Sequence, residues 1–161
     1  MTEPREGGCL CGAVRYTATG EPMRTNVCHC RFCQRVTGST SAALVSFPLD
    51  AVQFRGEPMA RYAHTSEGSG KSVFVHFCPR CGTTVTLTFE RWPDARAIAR
   101  GTLDDPNSVT IASHIWTDSA QTGIVLPAAT DCFGAARTSL DGTPLPATRY
   151  DEPRVVGQGP R

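Results

Sequence analysis

Cys28-His29-Cys30-Arg31-Phe32-Cys33 places three thiols within six residues, and the rest of the chain is read outward from them. A single free cysteine packs readily as a small buried hydrophobe. A cluster flanked by His29, Arg31, Gln34 and Arg35 does not, because a core would have to desolvate those polar side chains. Thiols this close form disulfides or coordinate a soft metal, and zinc takes cysteine sulfur at about 2.3 Å through short C-x2-4-C spacings. Three protein ligands, rather than four, is the number typical of a zinc that keeps a position open for water or substrate.

Two more pairs lie on either side of this cluster. Gly7-Gly8-Cys9-Leu10-Cys11-Gly12 comes first, its glycines letting the backbone turn close to a metal without a Cβ. Cys78-Pro79-Arg80-Cys81-Gly82 comes later, on a tight turn between two alternating segments. Arithmetic then suggests two sites. Cys9, Cys11, Cys78 and Cys81 make a closed four-thiolate set, fit for a structural zinc that clamps the N-terminus to a hairpin. Cys28, Cys30 and Cys33 make a separate set with an open position. The spacing also permits cross-pairing, in which one knuckle completes the central site.

The remaining candidates carry less chemistry. Cys132, the eighth cysteine, reads as a buried or partly buried free thiol, with an occasional fourth ligand as the alternative. His29, between two ligands, is expected to face away from the metal, solvated or behind it, with direct ligation as the alternative. His114 reads as a hydrogen-bonded histidine near a strand end. These two are the only nominees for proton transfer, and His64 and His76 receive no role.

Period-two alternation dominates elsewhere. Strands are expected at Ala13–Thr17, Ser41–Phe47, Ala51–Phe54, Met59–His64, Lys71–Phe77, Thr84–Phe89 and Ser108–Ser113. Gln34–Gly38 is short enough to be a helical turn or a loop, and Asp94–Arg100 is open between helix, strand and irregular chain. In the main hairpin Val73, Val75 and Phe77 share a face, as do Val85, Leu87 and Phe89, and that face is expected to build the core. Residues 65–70 read as a flexible loop, and the proline-bearing tail is expected to wrap the surface and fray from about Leu140. The class is therefore mainly β with little helix, in one domain spanning 1–161.

Composition narrows the partners. Sixteen Lys+Arg against fifteen Asp+Glu leave a net charge of +1, which offers no field for nucleic acid or an anionic membrane. Met1–Gly7 has no apolar run of a signal peptide, and no stretch approaches the roughly 20 residues of a membrane span. A cytoplasmic location is expected, where paired cysteines favour metal or catalysis over structural disulfides.

With these residues in view, the chain resembles the glutathione-dependent formaldehyde-activating enzyme family, which also takes in centromere protein V-like proteins. The resemblance rests on Gly8-Cys9-Leu10-Cys11-Gly12-Ala13-Val14, on Cys28–Cys33 with Thr37-Gly38, on Phe77–Thr83, on Gly101-Thr102-Leu103-Asp104-Asp105-Pro106 and on His114-Ile115. It implies a Mss4-like, zinc-stabilised β-sheet fold, and two zinc ions per chain. One would sit on Cys9, Cys11, Cys78 and Cys81, the other on Cys28, Cys30 and Cys33. It also implies condensation of formaldehyde with glutathione to S-hydroxymethylglutathione, a carbon–sulfur lyase activity. The chain departs from the family where a tryptophan usually follows the His-Ile pair by some nine residues; here that region reads Thr122-Gly123-Ile124.

The functional expectation is a zinc-dependent carbon–sulfur lyase or synthase acting on a small-thiol adduct, with glutathione or another small thiol as co-substrate. A non-enzymatic zinc module for a protein partner, and a thiol-based redox sensor on the central trio, are the rival readings.

Overall fold

The structure is a computed structural model and describes residues 3–158. Among them the chain is mainly β. Thirteen strands run β1 (Arg5–Gly8), β2 (Val14–Ala18), β3 (Arg24–Cys28), β4 (Ala42–Pro48), β5 (Val52–Gly56), β6 (Ala60–Thr65), β7 (Ser72–Phe77), β8 (Thr84–Phe89), β9 (Ala95–Ala99), β10 (Ser113–Ile115), β11 (Val125–Leu126), β12 (Asp131–Phe133) and β13 (Arg154–Val155). One α-helix, α1 (Arg31–Thr37), joins β3 to β4. No helix of the described residues is long and apolar enough to cross a membrane. The chain forms two compact units, each discontinuous in sequence. One takes the residues up to Thr25 with Leu44–Thr110, and the other takes Asn26–Ala43 with the residues from Ile111 onward.

The first unit is two antiparallel sheets sharing one core. β1, β2 and β5 form the smaller sheet, and the order β4-β9-β8-β7-β6 forms the larger. β2 alternates strictly, burying Val14, Tyr16 and Ala18, as its sequence predicts. These pack with Val52 of β5 and with Val45, Phe47, Val85 and Ile98 of the larger sheet. Tyr16 is the centrepiece. Its ring lies over Gly7, its register partner, where a Cβ would stand 2.3 Å from the ring. Its hydroxyl donates to Thr102 Oγ1 at 2.9 Å, because that oxygen spends its own proton on Ala99 O at 2.8 Å. A buried phenol without that acceptor would cost about 1–3 kcal/mol.

The main hairpin forms as β7 and β8, with the Cys78–Gly82 turn at its tip. Its burial differs from the expected one-sided alternation. Val75 is buried while Val73 and Phe77 are only half-buried, and in β8 Val85, Thr86 and Leu87 are all buried. Both faces of β8 are covered at its centre, so Thr86 satisfies its hydroxyl by donating to Ala97 O at 2.9 Å. The open 94–100 segment resolves as β9, held between β4 and β8. The strand expected at Ser108–Ser113 is displaced: Pro106–Ser108 is a 3₁₀ turn capped by Asp105, and the strand begins only at Ser113. Val109 produced the alternating signal but serves as a buried plug from a loop.

The second unit is built on three parallel strands. β10 lies between β3 and β12, with Ile115 opposite both Cys28 and Phe133. The carboxyl ends of all three therefore point the same way, and the segments that follow them meet at one rim. Beyond Leu140 the chain is tied back by reciprocal bonds between Cys132 and Thr148 (2.9 and 2.8 Å) and by β13 pairing with β11.

Two glycines separate backbone strain from close packing. Gly56 has φ +90° and a Cβ there would meet Ala13 O at 2.2 Å, whereas Gly20 has φ +77° in open space. Gly20→Ala should cost about 1 kcal/mol, the left-handed penalty alone. Gly56→Ala should cost clearly more in urea denaturation, since its added carbon meets the Ala13 carbonyl, which immediately precedes the core strand β2.

Candidate metal centres

In the first unit, two glycine-closed turns bring four sulfurs together. At the end of β1, Gly12 N–H donates to Cys9 O (3.0 Å), and the left-handed Gly12 (φ 76°) swings the chain so that Val14 N–H reaches Cys9 Sγ at 3.2 Å. At the hairpin tip, Gly82 N–H donates to Cys78 O (2.9 Å) with Gly82 again left-handed at φ 72°. Thr83 joins the turns: its hydroxyl accepts from Leu10 N–H and lies 3.2 Å from Cys81 Sγ. That hydroxyl is the first cause of Cys81 being pulled down to about 5.

The four Sγ atoms lie within 4.8 Å of one another, with Cys9–Cys11 at 3.6 Å and Cys11–Cys78 at 3.7 Å. A tetrahedron of sulfurs about 2.3 Å from its centre has edges of about 3.8 Å. The donor set fits a four-coordinate zinc, and Cys9, Cys11, Cys78 and Cys81 are the residues that would hold it. Cys9 and Cys78 are buried, while Cys11 is exposed.

In the second unit, Cys28, Cys30 and Cys33 also lie within 4.8 Å of one another. Each comes from a different local device. Cys28 is the last residue of β3, Cys30 is the N-cap of α1, and Cys33 sits in the first turn of that helix. The Cys30 sulfur accepts from Cys33 N–H at 3.4 Å, so one atom both caps the helix and joins the trio. Among the described residues no fourth Cys, His, Asp or Glu completes the group. Cys132 is buried elsewhere, on β12, and burial pushes its thiol up.

The trio's charges are mutually exclusive without a cation. Hydrogen bonds from the Cys28 and Cys33 thiols, then from the Cys33 and Phe32 backbone, hold Cys30 down to about 3. Those same contacts push Cys28 up to about 12 and Cys33 up as well, because a second thiolate would face the first at contact distance. A divalent ion removes that conflict, which is the sense in which the trio fits zinc.

Of the two places expected for His29, solvated or behind the ligands, the structure shows the buried one. His29 is 1% exposed, its backbone N–H donates to Ile115 O (2.9 Å), and its Nε2 lies 3.0 Å from His114 Nδ1 with the two rings stacked. Burial pulls both histidines below their ordinary value, so each is neutral at neutral pH. The register of β3 with β10 makes this pair, and no local spacing could have shown it.

Sequence reasoning missed Gln34 altogether. It is buried in α1, donates to His29 O (2.6 Å) and Ser119 O (2.9 Å), and accepts from Gln121 Nε2 (3.0 Å) and from Arg31. One amide thus fixes the cysteine segment, the helix and the turn after β10. The only signal was a polar residue one position past the third cysteine. Trp116, at the start of that turn, takes a left-handed φ of 59° and is held by its N–H on Ala135 O.

Residues 4–119 match the sequence model of a family described as glutathione-dependent formaldehyde-activating enzyme. A Halomonas elongata protein provisionally named a glutathione-dependent formaldehyde-activating enzyme is 32% identical over 92 residues, covering 55% of this chain. The match takes in 59% of that relative's own length. A crystal structure of a Rhodobacter sphaeroides protein shares the fold with a TM-score of 0.50 at 21% identity, over 64% of this chain and 93% of that one.

Two outcomes test the geometry. Because the trio's contacts hold Cys30 down and push Cys28 and Cys33 up, zinc loading there should release about two protons, and its affinity should rise roughly 100-fold per pH unit through neutrality. Calorimetry in buffers of different ionisation enthalpy reads that number, and release of one proton or none contradicts the charge assignment. Gln34→Leu should lower stability in urea by about 2–3 kcal/mol through lost hydrogen bonds to buried carbonyls.

Proposed function

The chain belongs to the glutathione-dependent formaldehyde-activating enzyme family, and from that premise we propose that it joins a small thiol to an aldehyde at the Cys28, Cys30 and Cys33 site. The observation that carries this reading is the donor count. Four sulfurs close one centre, whereas three, with no fourth protein donor among the described residues, leave the other able to take a ligand from outside. A zinc ion on these three sulfurs would supply Lewis acidity that lowers the pKa of an incoming thiol.

The reaction balances simply. The thiol sulfur forms a bond to the aldehyde carbon, the carbonyl π bond breaks, and the proton lost from sulfur ends on the new hydroxyl. Run in reverse, the same steps expel the thiol. Cys28 and Cys33, both buried, shape a low-dielectric wall, while half-buried Cys30 is the trio's approachable side. We assign proton exchange with the carbonyl oxygen to the His29–His114 pair. One proton between His29 Nε2 and His114 Nδ1 orients both rings, and His114 Nε2 is the nitrogen left to exchange. Gln34 positions this pair through His29 O. Glutathione is the thiol that the family description favours, with formaldehyde as its partner.

The zinc-loaded protein mixed with glutathione and formaldehyde should accumulate S-hydroxymethylglutathione faster than the uncatalysed mixture, as followed by NMR. Cys30→Ser should abolish that acceleration while the first centre keeps its metal and the protein stays folded. His114→Ala should lower the rate about 100-fold or more with little change in metal content. An inert wild-type protein holding both metals, across several thiols and aldehydes, would sink the proposal.

A further inference from the structure

Strand register sets four side chains in two neighbouring rows on one face of the larger sheet of the first unit. Arg61 of β6 stands opposite His76 of β7, and Thr88 of β8 stands opposite Arg96 of β9. His76 Nε2 lies 2.9 Å from Thr88 Oγ1, which links the two pairs diagonally. Phe74, opposite Thr88, shares the face. Directly paired residues of antiparallel strands project to the same side, so this is one continuous surface.

This face carries two permanent cations, Arg61 and Arg96, and neither has a paired counter-charge. Among the described residues the unit's ion pairs join Arg5 to Glu21, Arg15 to Asp104, Arg55 to Glu6, Lys71 to Glu90 and Arg80 to Glu57, and neither Arg61 nor Arg96 enters one. Each guanidinium instead lies 4.8 Å over a phenyl ring, Arg61 on Phe74 and Arg96 on Phe54. Stacking accounts for the arginine stems. It does not account for Arg96 Nε, a buried donor with no acceptor among the described residues. The positive charges of Arg96 and Arg61 both act on His76, so the two guanidiniums lie within electrostatic reach of one imidazole.

A half-buried surface with two guanidiniums, a hydroxyl, an imidazole and an orphaned N–H lacks one thing, an anionic acceptor. We propose that Arg61 and Arg96, with Thr88 and His76, bind the compact oxyanion of a small molecule, a phosphate or a carboxylate, whose apolar body rests against Phe74. This site is independent of the cysteine trio and of the reaction assigned to it.

The test uses the zinc-loaded full chain and the arginine Nε–H signals in NMR. Inorganic phosphate, titrated at constant ionic strength against chloride, should shift the Arg96 Nε–H signal saturably, and succinate provides the carboxylate arm. Saturation by either supports the site and identifies which oxyanion it takes. Arg61→Gln, at an exposed position, should weaken that saturation at least about tenfold without disturbing signals elsewhere. Arg96→Gln should abolish it. Non-saturating shifts with both anions, or an unchanged response in Arg61→Gln, overturn the proposal.

Discussion

Sulfur atoms at contact distance cannot all be anions, and this electrostatic conflict governs the molecule. Each cysteine cluster gathers thiols within 4.8 Å, where two thiolates repel strongly in a partly desolvated setting. Within the trio the mutual contacts favour the anionic form of Cys30 and disfavour it on Cys28 and Cys33. A divalent cation would let all three sulfurs ionise together, which is why this group of thiols could hold a metal.

The two clusters solve the placement of sulfur by different means, and the difference matches their proposed tasks. In the first, left-handed glycines close two turns and backbone N–H groups point at sulfur, with Thr83 bridging the turns. Four donors leave nothing for an outside ligand. In the second, a strand end and a helix start are joined by one residue, His29, and the helix uses Cys30 as its cap. Three donors from one short segment cannot enclose a metal by themselves, and the neighbouring strand supplies a histidine rather than a fourth ligand.

The hydrogen bonds that hold the surroundings of the trio involve no carboxylate. Gln34 satisfies both amide hydrogens and its carbonyl oxygen inside the protein, which fixes the turn after β10 to the cysteine segment. The stacked His29–His114 pair adds a second tie between the same strands. Partners without negative charge suit this position, since a buried carboxylate beside three sulfurs would add to their repulsion.

Cysteine spacing alone determined which sulfurs share a knuckle, since C-x-C and C-x-x-C bring sulfurs together through local geometry that needs no tertiary help. The alternation of β2 and of the main hairpin was equally legible, because a pleated strand shows its faces in the order of its residues. Only the tertiary structure decided which knuckles meet: Cys11 and Cys78 are 67 residues apart and are joined by strand pairing, not by proximity in the chain. It also decided that Cys132 stands apart from the trio, that His29 is buried against His114, and that Thr86 has both sides of its strand covered. Each depends on which strand lies alongside, a choice made by burial summed over the whole unit and therefore absent from any short stretch of sequence.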